Sequence, residues 1–393
     1  MPLPPHHLYV HVPFCRLVCA YCDFVTVGGR ADDIPRYTHA LLCEMEIRPA
    51  PGELRTIYFG GGTPSLLSGE QVKRLVRAAS DRWEHVALEE ITLEANPSAR
   101  EVPDWAGLRA AGVTRISLGA QSFRDADLVA LARGHTAREA RDAFAAARTA
   151  GFDNISVDLI HGIPGQTLDG WSDGLSAALA MEPDHLSCYA LQLALEPDEW
   201  AAPPRPGAQR WRSRMVERQD DGLATEQYRR AEELLAAAGY RHYEISSWAR
   251  PGRESRHNGA YWARHAYTGI GAGAHSYDGV AERSWNTRDL DRYLERAERA
   301  ERPVGGREEL GDPTRAFEAI ALGLRPVTGL SRRRFAKEFG DDPLERYADA
   351  VAETVAAGLV EVEGDAIRLS AAGRVMASEA LIRFLPSSDT LDG

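Results

Sequence analysis

A β-then-α alternation, repeated six times from Leu8 onward, constrains the fold of this 393-residue chain more than any other feature. Each unit has a short run of β-branched and apolar residues, then a polar or glycine-containing loop, then a helical pattern. Such alternation is typical of a parallel sheet, because each pair of parallel strands needs a crossover that a helix can supply. The predicted strands are LYVHV, TIYF, EITLEA, RISLG, ISVDLI and HLSCYAL, which begin at residues 8, 56, 90, 115, 155 and 185.

Capping signals predict where the helices between these strands begin. A serine or threonine followed three positions later by Gln or Glu has capping-box spacing. The three pairs are Ser68 with Gln71, Ser98 with Glu101, and Thr136 with Glu139. Right-handed crossovers predict an α/β fold in which the sheet curls into a partial (β/α)6 barrel, with an open doubly wound sheet as the alternative. In both, functional groups gather at the carboxyl ends of the strands.

The pattern changes in the last quarter of the chain. The proline-rich, charged stretch 201–222 predicts an irregular excursion before a helix that ends near Gly239. Helical patterns follow around 313–324, 331–339 and 343–357, and GLVEVEGDAIRLS (358–370) predicts a hairpin. We therefore expect two parts, a core over 1–299 and a small winged-helix-like module over 300–393.

Charge and hydropathy exclude several classes of partner. The chain has 46 Lys and Arg against 58 Asp and Glu, a net charge of -12, whereas a general nucleic-acid binder needs a basic excess. The basic run RPGAQRWRSR (205–214) is expected to be a solvated loop. No stretch has the pattern of a secretory signal or a transmembrane helix, so we expect a cytoplasmic protein.

Three of the five cysteines crowd into HVPFCRLVCAYCDF (11–24), at Cys15, Cys19 and Cys22. In a reducing compartment such thiols are metal ligands or nucleophiles rather than disulfides. A zinc site would need a second Cys or Cys/His pair, and none has the usual spacing. A [4Fe-4S] cluster on three thiols would leave one iron free to bind a small-molecule chelate. The sequence favours this cluster over structural zinc or redox thiols.

CxxxCxxC directly after the first strand is similar to the cluster motif of the radical-SAM superfamily. The resemblance implies that the open iron binds the amino and carboxylate groups of S-adenosylmethionine (SAM), whose reductive cleavage gives a 5′-deoxyadenosyl radical. It also implies SAM-binding roles for residues near the strand ends. Each of them alone is better explained as a structural residue, and their joint placement favours the functional role. These are Gly61, Gly62 and Thr63 for the amino group, Glu94 for the ribose, Arg133 for the carboxylate, Gln121, Asp158 and Ala190 as lining residues, and Tyr9 and Tyr21 as shields.

Longer stretches, among them LYVHVPFCRLVCAYCDF, TIYFGGGTPSLL and DLIHGIPGQT, resemble the oxygen-independent coproporphyrinogen III oxidase family, HemN/HemW. In the oxidases the motif continues to a further cysteine, whereas this chain has Phe24 at that position. In this respect the chain resembles the haem chaperones of the family. HNGAYW (257–262) also matches the HNxxYW motif of the haem-binding relatives. That resemblance implies a haem-contacting set. Its members are His257, Asn258, Tyr261 and Trp262.

Three functions are therefore weighed. The favoured one is a haem chaperone with a [4Fe-4S] cluster, SAM and haem, whose partners are an apo-haemoprotein client, an electron donor and, in a cluster-dependent dimer, a second copy. The second is an oxidase that decarboxylates the propionates of coproporphyrinogen III, which would need cationic groups beside the strand ends. The third, a protein whose cluster only pins its fold, ranks last because the glycine loop and the strand-end acids are present.

Overall fold

The computed structural model describes residues 3–101, 103–193 and 207–386. All six predicted strands are present, and they lie in parallel with neighbours in chain order. Their apolar side chains form the core, in which Leu8 and Val10 are fully buried. The six strands are β1 (Pro5–Val12), β2 (Glu53–Gly61), β3 (His85–Ala95), β4 (Arg115–Gln121), β5 (Ile155–His161) and β6 (His185–Ala190).

Six further strands extend this sheet to twelve, and the sequence patterns did not predict them. One of them pairs in parallel with β1, so that His6 lies opposite Ala266, while the others add antiparallel edges. The two edge strands do not pair with each other in the described residues, so the barrel is partial. The added strands are β7 (Arg241–Glu244), β8 (Ser247–Ala249), β9 (Ala266–Ile270), β10 (His275–Tyr277), β11 (Glu282–Asn286) and β12 (Val304–Glu309).

Helices connect the strands, and two of the three predicted capping boxes are confirmed. The side chains of Ser68 and Thr136 each accept from the backbone N–H three residues on, and their own backbone N–H groups donate to the side chains of Gln71 and Glu139. The box at Ser98 is wrong, because Glu101 ends a short 3-10 turn and its carboxylate accepts from Asn96. The helices are α1 (Ile34–Ile47), α2 (Gly69–Arg82), α3 (Trp105–Ala110), α4 (Asp125–Ala130), α5 (Ala137–Thr149), α6 (Leu168–Leu179), α7 (Ala208–Val216), α8 (Asp221–Ala237), α9 (Arg256–Trp262) and α10 (Leu290–Glu298).

The prediction of an irregular excursion over 201–222 is wrong for the part that the structure describes. Residues 201–206 lie outside the described ranges, but α7 occupies 208–216 and α8 begins at Asp221. The expectation of a solvated basic loop also fails, because Arg212 is 4% exposed. Its guanidinium donates hydrogen bonds to the cysteine loop.

The C-terminal region has its own apolar core and a three-stranded antiparallel sheet. The predicted hairpin is confirmed, and the predicted helix over 343–357 is split at Tyr347. The elements are α11 (Asp312–Gly323), β13 (Leu330–Ser331), α12 (Arg332–Phe339), α13 (Pro343–Arg346), α14 (Ala348–Ala356), β14 (Val360–Glu363), β15 (Ala366–Leu369), α15 (Ala371–Val375) and α16 (Ala377–Leu381). None of the helices in the described ranges has the length and apolar content to cross a bilayer.

Candidate functional site

The three clustered cysteines lie on the loop that leaves the carboxyl end of β1. Phe14–Cys15 pairs with Val27–Gly28, which closes the loop, and the Cys22 N–H donates to the Cys19 carbonyl at 3.2 Å. All three thiols are free and partly exposed. The loop therefore presents three soft ligands at the end of the sheet where a parallel α/β fold places its functional groups.

Two side chains from neighbouring loops contact these sulfurs. The Arg133 Nη1–H donates to Cys19 Sγ at 3.1 Å, and the Thr63 hydroxyl donates to Cys15 Sγ at 3.5 Å. Burial raises the pKa of Cys15 to about 11 and that of Cys22 to about 12. Because a bound metal's positive charge offsets this cost and deprotonates a coordinating thiol, the loop is suited to a cationic centre rather than to free thiolates.

The donor set fits an iron-sulfur cluster with one iron free of protein. Thiolates are the usual ligands of such clusters, and here there are three. No three His, Cys, Asp or Glu side chains within the described ranges form a group able to hold a single metal ion. Beside the loop, the Nε–H of Arg133 is buried with no hydrogen-bond partner among the described residues. A buried cationic donor of this kind is suited to bind an anion, such as the carboxylate of SAM.

The glycine loop after β2 packs directly against the cysteine loop. A Cβ on Gly62 would lie 2.7 Å from the Pro13 carbonyl, and one on Gly61, whose φ is +115°, would lie 2.5 Å from the His11 ring. The Gly62 N–H donates to the Val12 carbonyl at 2.8 Å. These glycines are therefore required for close approach to the protein's own backbone, in addition to any contact with a ligand.

Glu94 lies at the carboxyl end of β3, where it accepts two hydrogen bonds. The Tyr58 hydroxyl donates to Oε1 at 2.8 Å, and the Gly61 N–H donates to Oε2 at 3.1 Å. Burial raises the pKa of Glu94 to about 7, and the carboxylate of Asp158 adds to this effect. A carboxyl group titrating near neutrality in the barrel mouth is a candidate ligand group.

Asp158 lies in the middle of β5, which continues to His161, so the expectation that it lies near a strand end is wrong. Its carboxylate accepts from the hydroxyls of Ser117 at 2.9 Å and Ser156 at 3.3 Å. Burial raises the pKa of Asp158. This residue therefore lies deeper in the barrel than Glu94.

The remaining predicted SAM residues are distributed around the same end of the barrel. Gln121 is the last residue of β4 and has a φ of +64°, and Ala190 is the exposed last residue of β6. Tyr9 stacks on the Tyr58 ring at 6.1 Å inside the barrel. Tyr21 receives a hydrogen bond from Arg133 at 3.3 Å, which places its phenol beside Cys19.

Arg212, on α7, is a site residue that the sequence did not predict. Its Nε–H donates to the Ala20 carbonyl at 3.0 Å, and its Nη2–H donates to the Cys22 carbonyl at 3.2 Å and to Asp23 at 2.5 Å. The guanidinium thus stabilises the conformation of the segment between Cys19 and Cys22. An arginine in a basic run, 190 positions away from Cys22, carries no signal in the sequence that could have revealed this contact.

The HNGAYW residues lie on α9, whose N-terminus is held by Glu90 through the N–H groups of Arg256 and His257, both at 3.1 Å. His257 is fully buried. Its Nδ1 is hydrogen-bonded to Thr56 Oγ1 at 2.7 Å and its Nε2 to the Tyr261 hydroxyl at 2.9 Å. Both ring nitrogens are therefore in use in this conformation, and the haem-contacting role of His257 stays a prediction.

Tyr261 and Trp262, at the end of α9, line a cavity of 660 Å³. The guanidinium of Arg325 lies 4.3 Å above the Trp262 ring, and the indole N–H of Trp262 has no partner among the described residues. Asn258, whose N–H donates to the Ser255 hydroxyl at 3.3 Å, belongs to the first turn of the same helix. The motif thus combines the buried His257 with Tyr261 and Trp262, which face a cavity.

Comparison with known proteins agrees with this architecture. The family model "Radical SAM superfamily" matches residues 9–173, and the model "HemN C-terminal domain" matches residues 311–376. The chain is 37% identical to the Heme chaperone HemW of Mycobacterium tuberculosis, over 98% of this chain and 96% of that protein. It is 33% identical to the Heme chaperone HemW of Escherichia coli, over 98% and 99%.

The chain belongs to the HemW family of radical-SAM proteins. Among solved structures it is similar to the coproporphyrinogen III oxidase HemN of Escherichia coli, with a TM-score of 0.81 at 22% identity, over 98% of this chain and 91% of that one. At this identity the likeness shows the fold alone. Membership in the radical-SAM superfamily implies SAM and a [4Fe-4S] cluster.

Phe24, at the position where the resemblance implies a further cysteine in the oxidases, is 66% exposed. It follows Asp23, whose carboxylate is bound by Arg212, and it lies at the outer side of the cysteine loop. A side chain so exposed packs against little of the protein. The difference from an oxidase at this position is thus compatible with an unchanged loop structure.

Proposed function

We propose that this chain is a haem chaperone that binds haem and passes it to an apo-haemoprotein, and that it carries a [4Fe-4S] cluster and SAM on the cysteine loop. The observation that carries the proposal is the full-length relationship to the HemW proteins, whose name describes this activity. The cavity bounded by Tyr261 and Trp262 supports it, because its 660 Å³ is in the size range of cofactor pockets and aromatic side chains suit a planar macrocycle.

The charges at the barrel mouth favour a chaperone over an oxidase. Coproporphyrinogen carries four propionates, which need cationic partners. The carboxyl group of Glu94 lies at the strand ends and that of Asp158 lies deeper in the barrel, and the Nη groups of Arg133 are already bound to Cys19, Tyr21 and two further oxygens. A substrate with four carboxylates would therefore find few free cationic partners among these residues.

Individual residues would serve the cofactors as follows. Cys15, Cys19 and Cys22 hold the cluster, which with SAM supplies one-electron chemistry when bound. The free Nε–H of Arg133 donates to the SAM carboxylate, and Glu94 accepts from the ribose hydroxyls. Gly61, Gly62 and Thr63 position the amino group, while Gln121, Asp158 and Ala190 line the site. Tyr9 and Tyr21 exclude water from it.

The larger organisation also belongs to this proposal. We assign the barrel with its α9 extension to residues 1–299 and the C-terminal module to 300–393, although β12 still belongs to the large sheet. An electron donor would reduce the cluster, and a second copy would bind in a cluster-dependent dimer. The acidic net charge of -12 disfavours nucleic acid as a partner.

The decisive test uses the full chain, reconstituted anaerobically. Titration with ferric protoporphyrin IX is expected to shift the Soret band, and haem-loaded protein is expected to transfer haem to an apo-haemoprotein faster than haem-loaded serum albumin does. The same preparation, given SAM, a reductant and coproporphyrinogen III, is expected to form no protoporphyrinogen. Conversion of coproporphyrinogen without haem binding would establish the oxidase instead.

A further inference from the structure

The cavity beside α9 contains imidazole groups that the HNxxYW motif does not include. Besides Tyr261 and Trp262, its lining includes His265, Tyr267 and His275. His265 precedes β9 at the amino-terminal end of that strand, whereas the cysteine loop follows the carboxyl end of the neighbouring β1. The cavity imidazole at position 265 and the three thiols thus lie toward opposite ends of the parallel strands.

His265 and His257 are joined by a chain of hydrogen bonds. His265 Nδ1 lies 3.3 Å from His7 Nε2, and His7 Nδ1 lies 2.8 Å from Thr56 Oγ1. Thr56 Oγ1 also contacts His257 Nδ1 at 2.7 Å, and His257 Nε2 contacts the Tyr261 hydroxyl at 2.9 Å. The chain therefore begins and ends at residues that line the cavity, and passes through the barrel interior between them.

The protons in this chain can be arranged in one direction that leaves His265 ready to bind a metal. Nδ1–H of His265 donates to His7, Nδ1–H of His7 donates to Thr56, the Thr56 hydroxyl donates to His257, and Nε2–H of His257 donates to Tyr261. Every link then has one donor and one acceptor, and His265 Nε2 keeps its lone pair. In the reverse direction His265 Nε2 carries the proton instead.

We propose, resting on the haem-chaperone function above, that His265 is the iron ligand of the bound haem and that His257 is a positioning residue. A metal-bound histidine normally donates its other ring N–H to a fixed acceptor, which sets its tautomer and orientation. His7 is that acceptor, and it is 5% exposed. His257 acts through Thr56 and His7 on the tautomer of His265, although its own nitrogens are occupied.

Burial is consistent with this arrangement. Desolvation lowers the pKa of His265, and it lowers that of His7 to about 3. Desolvation also lowers the pKa of His257. All three rings are therefore neutral at neutral pH, which is the form that each link and the iron bond require.

The test is a titration of the full-length protein with ferric protoporphyrin IX and, separately, with metal-free protoporphyrin IX. We expect His265→Ala to weaken ferric-haem binding by at least about tenfold and to change the ligand-field spectrum, while the metal-free macrocycle still binds. His257→Phe is expected to weaken haem binding with the wild-type spectrum of the bound fraction. His85→Ala, at an exposed histidine on β3 outside this cavity, is the matched control and is expected to keep both properties.

Three outcomes decide between the proposals. If wild type binds no haem, the haem-chaperone function itself fails. If wild type binds haem and His265→Ala keeps its affinity and spectrum, the ligand assignment is wrong and the function stands. If His257→Phe or His275→Ala alone changes the ligand-field spectrum, iron is bound by that residue and not by His265. Binding of metal-free protoporphyrin IX shows in each case that the cavity is folded.

Discussion

Replacement of Arg212 by alanine tests how the cysteine loop is held. Arg212 donates to the carbonyls of Ala20 and Cys22 and to the carboxylate of Asp23. The substitution removes all three contacts and leaves the barrel core unchanged. The segment between Cys19 and Cys22 should then open more often, which exposes the cluster to solvent.

The expected magnitude follows from these contacts. A hydrogen bond from a charged group contributes about 1.5–3 kcal/mol, and the lower value applies here because the loop carbonyls can be rehydrated. Two such bonds give about 3 kcal/mol, or on the order of a 100-fold rise in the open population. The side chain of Asp23 is 45% exposed, so its ion pair adds little.

The assay is the release of iron from the anaerobically reconstituted protein to a chromogenic chelator. If the cysteine loop closes faster than the chelator binds iron, the rate of iron release is proportional to the population of the open loop. Arg212→Ala should then release iron on the order of 100-fold faster than wild type. Arg214→Ala is the matched control, because Arg214 is exposed on the same helix. Equal release rates for wild type and Arg212→Ala would refute the assignment of Arg212 to the loop.

Three further substitutions test other parts of the account. Gly62→Ala places a Cβ 2.7 Å from the Pro13 carbonyl and should lower the melting temperature and the iron content, which an unchanged melting curve would contradict. Gly174→Ala, in α6 with no atom beyond the adjacent helix backbone within 4 Å of the added Cβ, should instead stabilise the fold by about 1 kcal/mol, measured as a higher denaturant midpoint. Because the pKa of Glu94 is raised from 4.5 to about 7, wild type should lose stability as pH rises through this interval. The Glu94→Gln variant should lose less stability over this pH range. Denaturant midpoints of the two proteins that change in parallel from pH 5 to 8 would contradict this prediction.

The sequence predicted the parallel strands because each is a continuous apolar run next to a helix with a clear start. It missed β9, since YTGIG is short and glycine-dense and resembles a loop. It also misjudged α7, where charge and proline outweighed the helical pattern of Ala208–Val216. Tertiary contacts stabilise such elements, and a single sequence does not contain them.

The candidate site was predictable in part for a similar reason. The thiols, Thr63 and Glu94 lie next to recognisable motifs, and the structure brings them to one end of the barrel. The roles of Arg212 and His265 depend on contacts between distant segments, such as the one between His265 and His7. His257 belongs to a recognisable motif, but its ring nitrogens are not exposed, because α9 places the side chain in the interior beside Thr56.

The most direct test of the central claim, an open iron on three thiols, is spectroscopy of the anaerobically reconstituted chain. We expect about four iron and four sulfide per chain, and a reduced-cluster electron paramagnetic resonance spectrum that changes when SAM is added. Cys19→Ala should lose this cluster, and Cys43→Ala, whose thiol lies on α1, should keep it. Bound zinc, or a cluster whose spectrum SAM does not alter, would contradict the account.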